Sequence, residues 1–138
     1  SEEEKDFCRK AIADYKTIRP VVQLGDLYRL VSPYEGHNMA SLMYVTEDKS
    51  EAAFFWWKTE LMWSDLVPRV KRAGLDPDKK HVVHELNRVD NGELDYEGKT
   101  FTGKFLMEYG LEMPFKHWVD SELHRSDWTS RVLHLVAE

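Results

Sequence analysis

Six histidines, one cysteine and five tryptophans are the residues of this 138-residue chain with the most chemistry to offer. His81 and His84 stand three apart, a spacing that on a strand sends the two imidazoles to opposite faces. They could not share a metal there, and no carboxylate or thiol motif stands beside them to complete a ligand set. Cys8 lies beside Phe7 in a helical pattern. A reactive thiol needs a cation or helix N-terminus to favour the thiolate, so Cys8 reads as a small buried residue. Gly-x-Gly-x-x-Gly, Gly-x-x-x-x-Gly-Lys and Gly-x-Ser-x-Gly are all absent from the sequence, so no phosphate cradle or nucleophile elbow is signalled. The residues call for no cofactor and no metal. Tryptophan remains. An indole left in water can stack on a pyranose ring, and Trp63, at a strand end, is the candidate for such a carbohydrate-binding platform. Trp56 and Trp57 read instead as filling for a core or an interface.

The elements that would position these residues begin with a helix. Between Glu2 and Thr17, Phe7, Ala11 and Tyr15 recur at i, i+4 and i+8, beside Cys8, Ile12 and Ile18, which makes an apolar stripe. Glu2-Glu3-Glu4 suits the positive end of the helix dipole. Arg19-Pro20 predicts the end, because the residue before proline is pushed out of helical geometry. The stripe needs a cover, so Phe7, Ile12 and Tyr15 are expected either to fold back on the domain or to bury against another copy.

From Val21 the period becomes two. Met39–Val45 and 52–57, separated by a polar turn over Thr46–Glu51, read as an antiparallel hairpin. Phe54-Phe55-Trp56-Trp57 is apolar on both faces, which a sheet with one face in water should not be. One Phe-Trp pair is therefore expected in the core. The other belongs under a second layer: the helix, a loop from 114–128, or a docking partner. Leu66–Ala73 reads as a strand starting at or lying on an edge, since Pro68 cannot donate to a ladder. Asp76-Pro77-Asp78-Lys79 and Tyr96-Glu97-Gly98-Lys99 read as turns, and Asn91-Gly92 as a tight hairpin turn. His81–Arg88 and Ser130–Val136 complete the strands, the latter with Arg131, Leu133 and Leu135 on one face. Seven or eight strands with no helix between them predict a mainly β fold. It is a two-sheet antiparallel sandwich of immunoglobulin-like or Greek-key type, preceded by one N-terminal α-helix. The boundaries are 1–19 for the helix and 20–138 for the sandwich.

Composition sets the outer limits. An apolar fraction of 42% with six Phe, six Tyr and five Trp argues for a real core. The net charge of −6 argues against nucleic acid, whose phosphates need a basic face. One cysteine cannot form an internal disulfide, and the sequence holds no apolar run of about 18 residues that would span a membrane. The compartment stays open, with the cytoplasm favoured, because a targeting signal would lie outside this stretch.

Gly25-Asp26-Leu27-Tyr28-Arg29-Leu30, followed by Ser32-Pro33-Tyr34-Glu35, resembles the junction where the catalytic barrel of a glycoside hydrolase family 36 α-galactosidase passes into its C-terminal β-sandwich. Thr46–Ala52, Gly74-Leu75-Asp76-Pro77, Thr102–Leu111 and Arg131–Leu135 resemble later phrases of that family, in the same order. The resemblance implies a non-catalytic domain that packs on the barrel, with residues 1–19 a remnant of the barrel's last helix. Phe7, Ile12, Tyr15, Phe54, Phe55, Trp56 and Trp57 are then the interface candidates. The partners implied are the catalytic barrel of the parent chain, other subunits and galactosides, with neither nucleic acid nor membrane. The parent would hydrolyse terminal α-galactosides such as melibiose and raffinose, with retention and without a cofactor. Its two aspartates would sit on the barrel, the nucleophile after a Lys-Trp pair, and no Lys-Trp-Asp occurs here. Trp63-Ser64-Asp65, Trp118-Val119-Asp120 and Ser126-Asp127-Trp128 echo such motifs outside any barrel pattern, so no catalytic residue is assigned. Two other readings stay open: a carbohydrate-binding module using an exposed Trp, and a stand-alone immunoglobulin-like interaction domain.

Overall fold

A computed structural model describes residues 1–35, 38–59, 67–88, 93–114 and 128–138. It opens with α1 (Glu2–Leu24), followed by β1 (Asp26–Val31), β2 (Met39–Val45), β3 (Glu51–Lys58), β4 (Arg69–Val70), β5 (Lys80–Leu86) and β6 (Thr100–Thr102). A short α2 (Gly103–Glu108), β7 (Leu111–Glu112) and β8 (Thr129–Ala137) complete it.

The strands form two antiparallel sheets of unequal size. The larger has the order β1-β2-β3-β8-β5-β6, and the smaller pairs β4 with β7. The last strand returns to the middle of the large sheet, where β8 pairs with both β3 and β5. Alternation along three neighbouring strands then fills one face: Met43 and Val45, Phe54 and Trp56, Leu133 and Leu135 are all buried. Val70, Leu75, Leu94, Leu106, Leu111 and Met113 close over them from the β4–β7 side. The predicted two-sheet sandwich with an N-terminal helix is observed, its second layer made partly of α2 and turns.

The β2–β3 hairpin forms as expected. Its turn is tied by the Asp48 carboxylate, which accepts from Ser50 Oγ at 2.7 Å, Ser50 N at 3.0 Å and Thr46 Oγ1 at 2.8 Å. Those bonds hold Asp48 at about pKa 2, the Ser50 hydroxyl contributing most. The turn at Asp76–Lys79 is closed by Lys79 N–H to Asp76 O, and the one at Tyr96–Lys99 by Lys99 N–H to Tyr96 O. The Asn91-Gly92 turn lies outside the described residues.

Three expectations need correcting. The helix does not stop at Arg19-Pro20 but runs 23 residues with Pro20 inside it, to a cap where Gly25 N–H reaches Val21 O. An interior proline costs about 3 kcal/mol. Ile18 and Val21 flank it, buried on the sheet, and burying two such side chains returns about 1.5–3 kcal/mol each. Packing outweighs the local preference. The second correction is α2, a helix where none was expected between strands. Thr102 caps it by accepting from Phe105 N at 3.1 Å. The strand read over Leu66–Ala73 shrinks, among the described residues, to Arg69–Val70, and Pro68 sits just before it.

Candidate functional site

The side of the large sheet turned away from the core carries the features that need a partner. On β3 the alternation holds. Phe54 and Trp56 are fully buried, whereas Phe55 is half-buried and Trp57 is 38% exposed. Phe54 and Trp56 therefore leave the set of interface candidates, because the pleat turns them inward. Phe55 stacks on Trp57 at 5.9 Å with an 11° interplanar angle, and Tyr44 meets Phe55 edge-on at 6.3 Å. The second half of α1 lies over part of this face, where Ile18, Val21 and Ala53 form a buried cluster with Val22, Tyr44, Phe55, Leu86 and Val132 around it. The second layer expected over the outer Phe-Trp pair is thus the helix, and it covers Phe55 better than Trp57.

The first half of α1 has no such cover. Asp14 marks the limit, its carboxylate accepting from Asn87 N at 2.8 Å beyond the end of β5. Phe7, Ile12 and Tyr15 are 48%, 54% and 47% exposed. They do not fold back on the sandwich, which removes one of the two arrangements expected for them. At 3.6 residues per turn, Phe7 and Ala11 fall within about 20° of Ile18, Tyr15 about 60° away and Ile12 about 120° away. The line that packs on the sheet at Ile18 and Val21 thus continues past the sheet at Ala11 and Phe7. Cys8 is exposed rather than buried, because it lies on this same uncovered stretch. The overhang is held locally by a capping box between Ser1 and Glu4 and by the pairs Lys5–Glu2 at 2.7 Å and Arg9–Asp6.

The core face holds a buried set of charges that sequence reading passed over. Arg131 and Glu85 meet at 2.7 Å with side chains 1% and 3% exposed. Arg131 also donates from Nε to Pro114 O at 2.8 Å. Arg72 is buried with its guanidinium 3.6 Å from the centre of the Phe54 ring, and it donates to Val70 O. Nearby, Tyr96 Oη donates to Glu112 O at 2.6 Å. Burial pushes Glu85 up against the pull of Arg131, pushes Tyr96 up, and draws Arg72 down. These groups tie the two layers together, and Tyr96, Glu112 and Arg131 also line a groove open to solvent. The one signal was Arg131, a charged residue in register with core-facing Leu133 and Leu135.

His81 and His84 lie on opposite faces, as their spacing requires. His81 is buried with Nε2 3.2 Å from Lys49 O, and His84 is exposed with Nδ1 2.9 Å from a Glu97 carboxylate oxygen. Among the described residues, no group of three or more His, Cys, Asp and Glu side chains could hold a metal, and no helix is long and apolar enough to cross a membrane. Trp63, Asp65, Trp118, Asp120 and Asp127 lie outside the described residues.

The architecture is a two-layer β domain with a helix entering at one end and a half-covered outer face. The family model for the glycosyl hydrolase family 36 C-terminal domain matches residues 39–135. The chain belongs to that family. It is 31% identical over 122 residues to a probable α-galactosidase C of Aspergillus terreus, covering 88% of this chain and 14% of that protein. It is 34% identical over 98 residues to α-galactosidase AgaA of Geobacillus stearothermophilus, covering 71% of this chain and 13% of that protein. The crystal structure of the family 36 α-galactosidase AgaB from the same organism superposes on all of this chain and 16% of its own, with a TM-score of 0.79 at 28% identity. The chain thus spans about one-seventh of the length of the curated relatives it matches.

Proposed function

We propose that this domain serves as the non-catalytic C-terminal support of an α-galactosidase, docking on the catalytic barrel of its parent chain. The overhanging, uncovered line of α1 carries this reading. A helix that packs on the sheet at Ile18 and Val21 and continues through a half-buried Ala11 to Phe7, 48% exposed, lacks a full surface on its first half. The relatives have about six-sevenths of their length outside this region, enough to supply one. In this reading residues 1–19 belong to the barrel's last helix and 20–138 to the sandwich, with Ile18 and Val21 astride that boundary packing on the sheet. Phe7, Tyr15 and Trp57 meet the barrel directly, Ile12 lies at its margin, and Phe55 acts through Trp57. The parent hydrolyses terminal α-galactosides such as melibiose and raffinose with retention, using two carboxylates about 5–5.5 Å apart that this chain does not supply. Contacts with other subunits would use the same outer face.

The test is turnover. The 138-residue chain incubated with an aryl α-galactoside is expected to release no more aglycone than buffer. Release that is abolished by Asp65→Asn or Asp127→Asn would place catalytic machinery in this domain and overturn the assignment.

A further inference from the structure

His84 finds across the sheet the neighbour it lacks along its own strand. It is the register partner of His134 on the adjacent antiparallel strand β8. Leu86 and Val132, two residues away on each strand, belong to the cluster beneath α1, so both imidazoles stand on the outer face. Val83 turns its backbone to the far side of β5, accepting from Gly98 N at 2.8 Å and donating to Lys99 O at 3.1 Å. The alternating ladder therefore turns the backbone of His84 toward β8, and in such a hydrogen-bonded pair the Cα atoms lie about 5.5 Å apart.

Carboxylates on opposite flanks hold the two rings. His84 donates from Nδ1 to Glu97 at 2.9 Å, and the same carboxylate accepts from Glu85 N at 2.8 Å, beside β5 on the side away from β8. His134 donates from Nε2 to Glu51 at 3.0 Å, and Glu51 belongs to β3, on the side of β8 away from β5. A carboxylate only accepts, so each bond fixes a tautomer, with the proton on Nδ1 of His84 and on Nε2 of His134. His84 Nε2 and His134 Nδ1 keep their lone pairs, and neither makes a hydrogen bond among the described residues. The two nitrogens of an imidazole point to nearly opposite sides of the ring. Anchoring the outer nitrogens thus turns the free lone pairs toward the space between the strands. Partly buried Val82, Leu86, Val132 and Val136 flank the pair along β5 and β8.

Two neutral imidazoles side by side, each with its other N–H held by a carboxylate, match the ligand type and the outer shell of zinc, nickel and copper sites. Magnesium and calcium take oxygen ligands instead. We propose that His84 and His134 form a two-histidine site for a divalent transition-metal ion of the zinc class, with Glu97 and Glu51 orienting the rings. Zinc–imidazole bonds of about 2.0–2.1 Å suit rings at this spacing. No third such side chain joins them among the described residues, so water completes the coordination.

The experiment is a zinc chloride titration of the isotopically labelled 138-residue chain in a non-chelating buffer, followed by imidazole nitrogen and amide shifts. Before zinc is added, the spectra should show His84 protonated on Nδ1 and His134 on Nε2. Zinc should then shift His84 Nε2 and His134 Nδ1 saturably, whereas magnesium and calcium should not. The apparent affinity should fall about tenfold or more in Glu97→Gln, the cost of losing an orienting carboxylate, and further in His84→Gln. A thermal melt reports whether each variant folds, and His84→Gln, an exposed position, keeps the test open if Glu97→Gln does not fold. The opposite tautomers, no saturable zinc shift at this pair, shifts confined to other histidines, or full zinc binding by folded His84→Gln overturns the proposal.

Discussion

Replacing Glu85 by glutamine should destabilise this domain far more than an ordinary polar change. Glu85 and Arg131 meet at 2.7 Å with almost no exposed side-chain surface. The Arg131 guanidinium keeps Pro114 O, a neutral acceptor, once the carboxylate charge is gone. Stranding one partner of a buried pair costs about 3–5 kcal/mol, whereas replacing both by apolar side chains is often neutral or better. Glutamine retains one acceptor oxygen, so the lower end, about 3 kcal/mol, applies. At about 4 °C per kcal/mol for a domain of this size, the melting temperature should fall by roughly 10–15 °C. The assay is urea unfolding of wild type, Glu85→Gln, Arg131→Met and Glu85→Leu/Arg131→Met. The double variant should be more stable than either single one, leaving a coupling of about 2 kcal/mol or more. If Glu85→Gln lies within about 0.5 kcal/mol of wild type, the pair does not hold the layers together and the reasoning fails.

Three further outcomes follow from the same structure. Gly103→Ala would place a Cβ 2.0 Å from Asp76 O. It should cost about 1–3 kcal/mol as overpacking against backbone, read by chemical denaturation. Gly98→Ala meets nothing nearer than His84 Cε1 at 4.0 Å but keeps a φ of +70°, so its cost should stay at the left-handed strain of about 1–2 kcal/mol. Asp48, held at about pKa 2 against 3.8, should add stability that is fully present above about pH 4 and lost as pH falls through its folded value. Asp48→Asn should therefore lower stability at neutral pH and flatten the acid limb between those two values, as measured by melting temperature against pH.

Much of the fold was legible because period and turn chemistry agreed. The doubled aromatic run 54–57 announced a strand with two apolar faces, and the structure puts one pair in the core and the other beside a helix. The helix boundary was not legible, since proline's local cost is visible in sequence while the burial of Ile18 and Val21 that outweighs it is tertiary. α2 escaped notice because six residues beginning at a glycine give too few turns to show a 3.6 period. Of the candidate surface, Phe7 and Tyr15 showed as an unpartnered stripe, but the sequence could not say which half of the helix the sheet would cover. The buried Arg131–Glu85 pair joins residues 46 positions apart in sequence, drawn from separate strands. Only the chain's path brings them together.

Hydrogen exchange along α1 tests docking, the central claim, most directly. In the 138-residue chain alone, amides from Phe7 to Ala13 belong to an overhang held by a capping box and exposed ion pairs. A short helical stretch without tertiary cover is marginal in water, so these amides should exchange fast, while those from Ile18 to Leu24 stay protected on the sheet. With the catalytic portion of the parent chain added, protection of Phe7–Ala13 should rise by at least about tenfold, a gain of ~1.4 kcal/mol, and Phe7→Asp should abolish the gain without moving the melting temperature of the isolated chain. Unchanged exchange at Phe7–Ala13 in the presence of that partner would contradict the claim that this overhang is the docking surface.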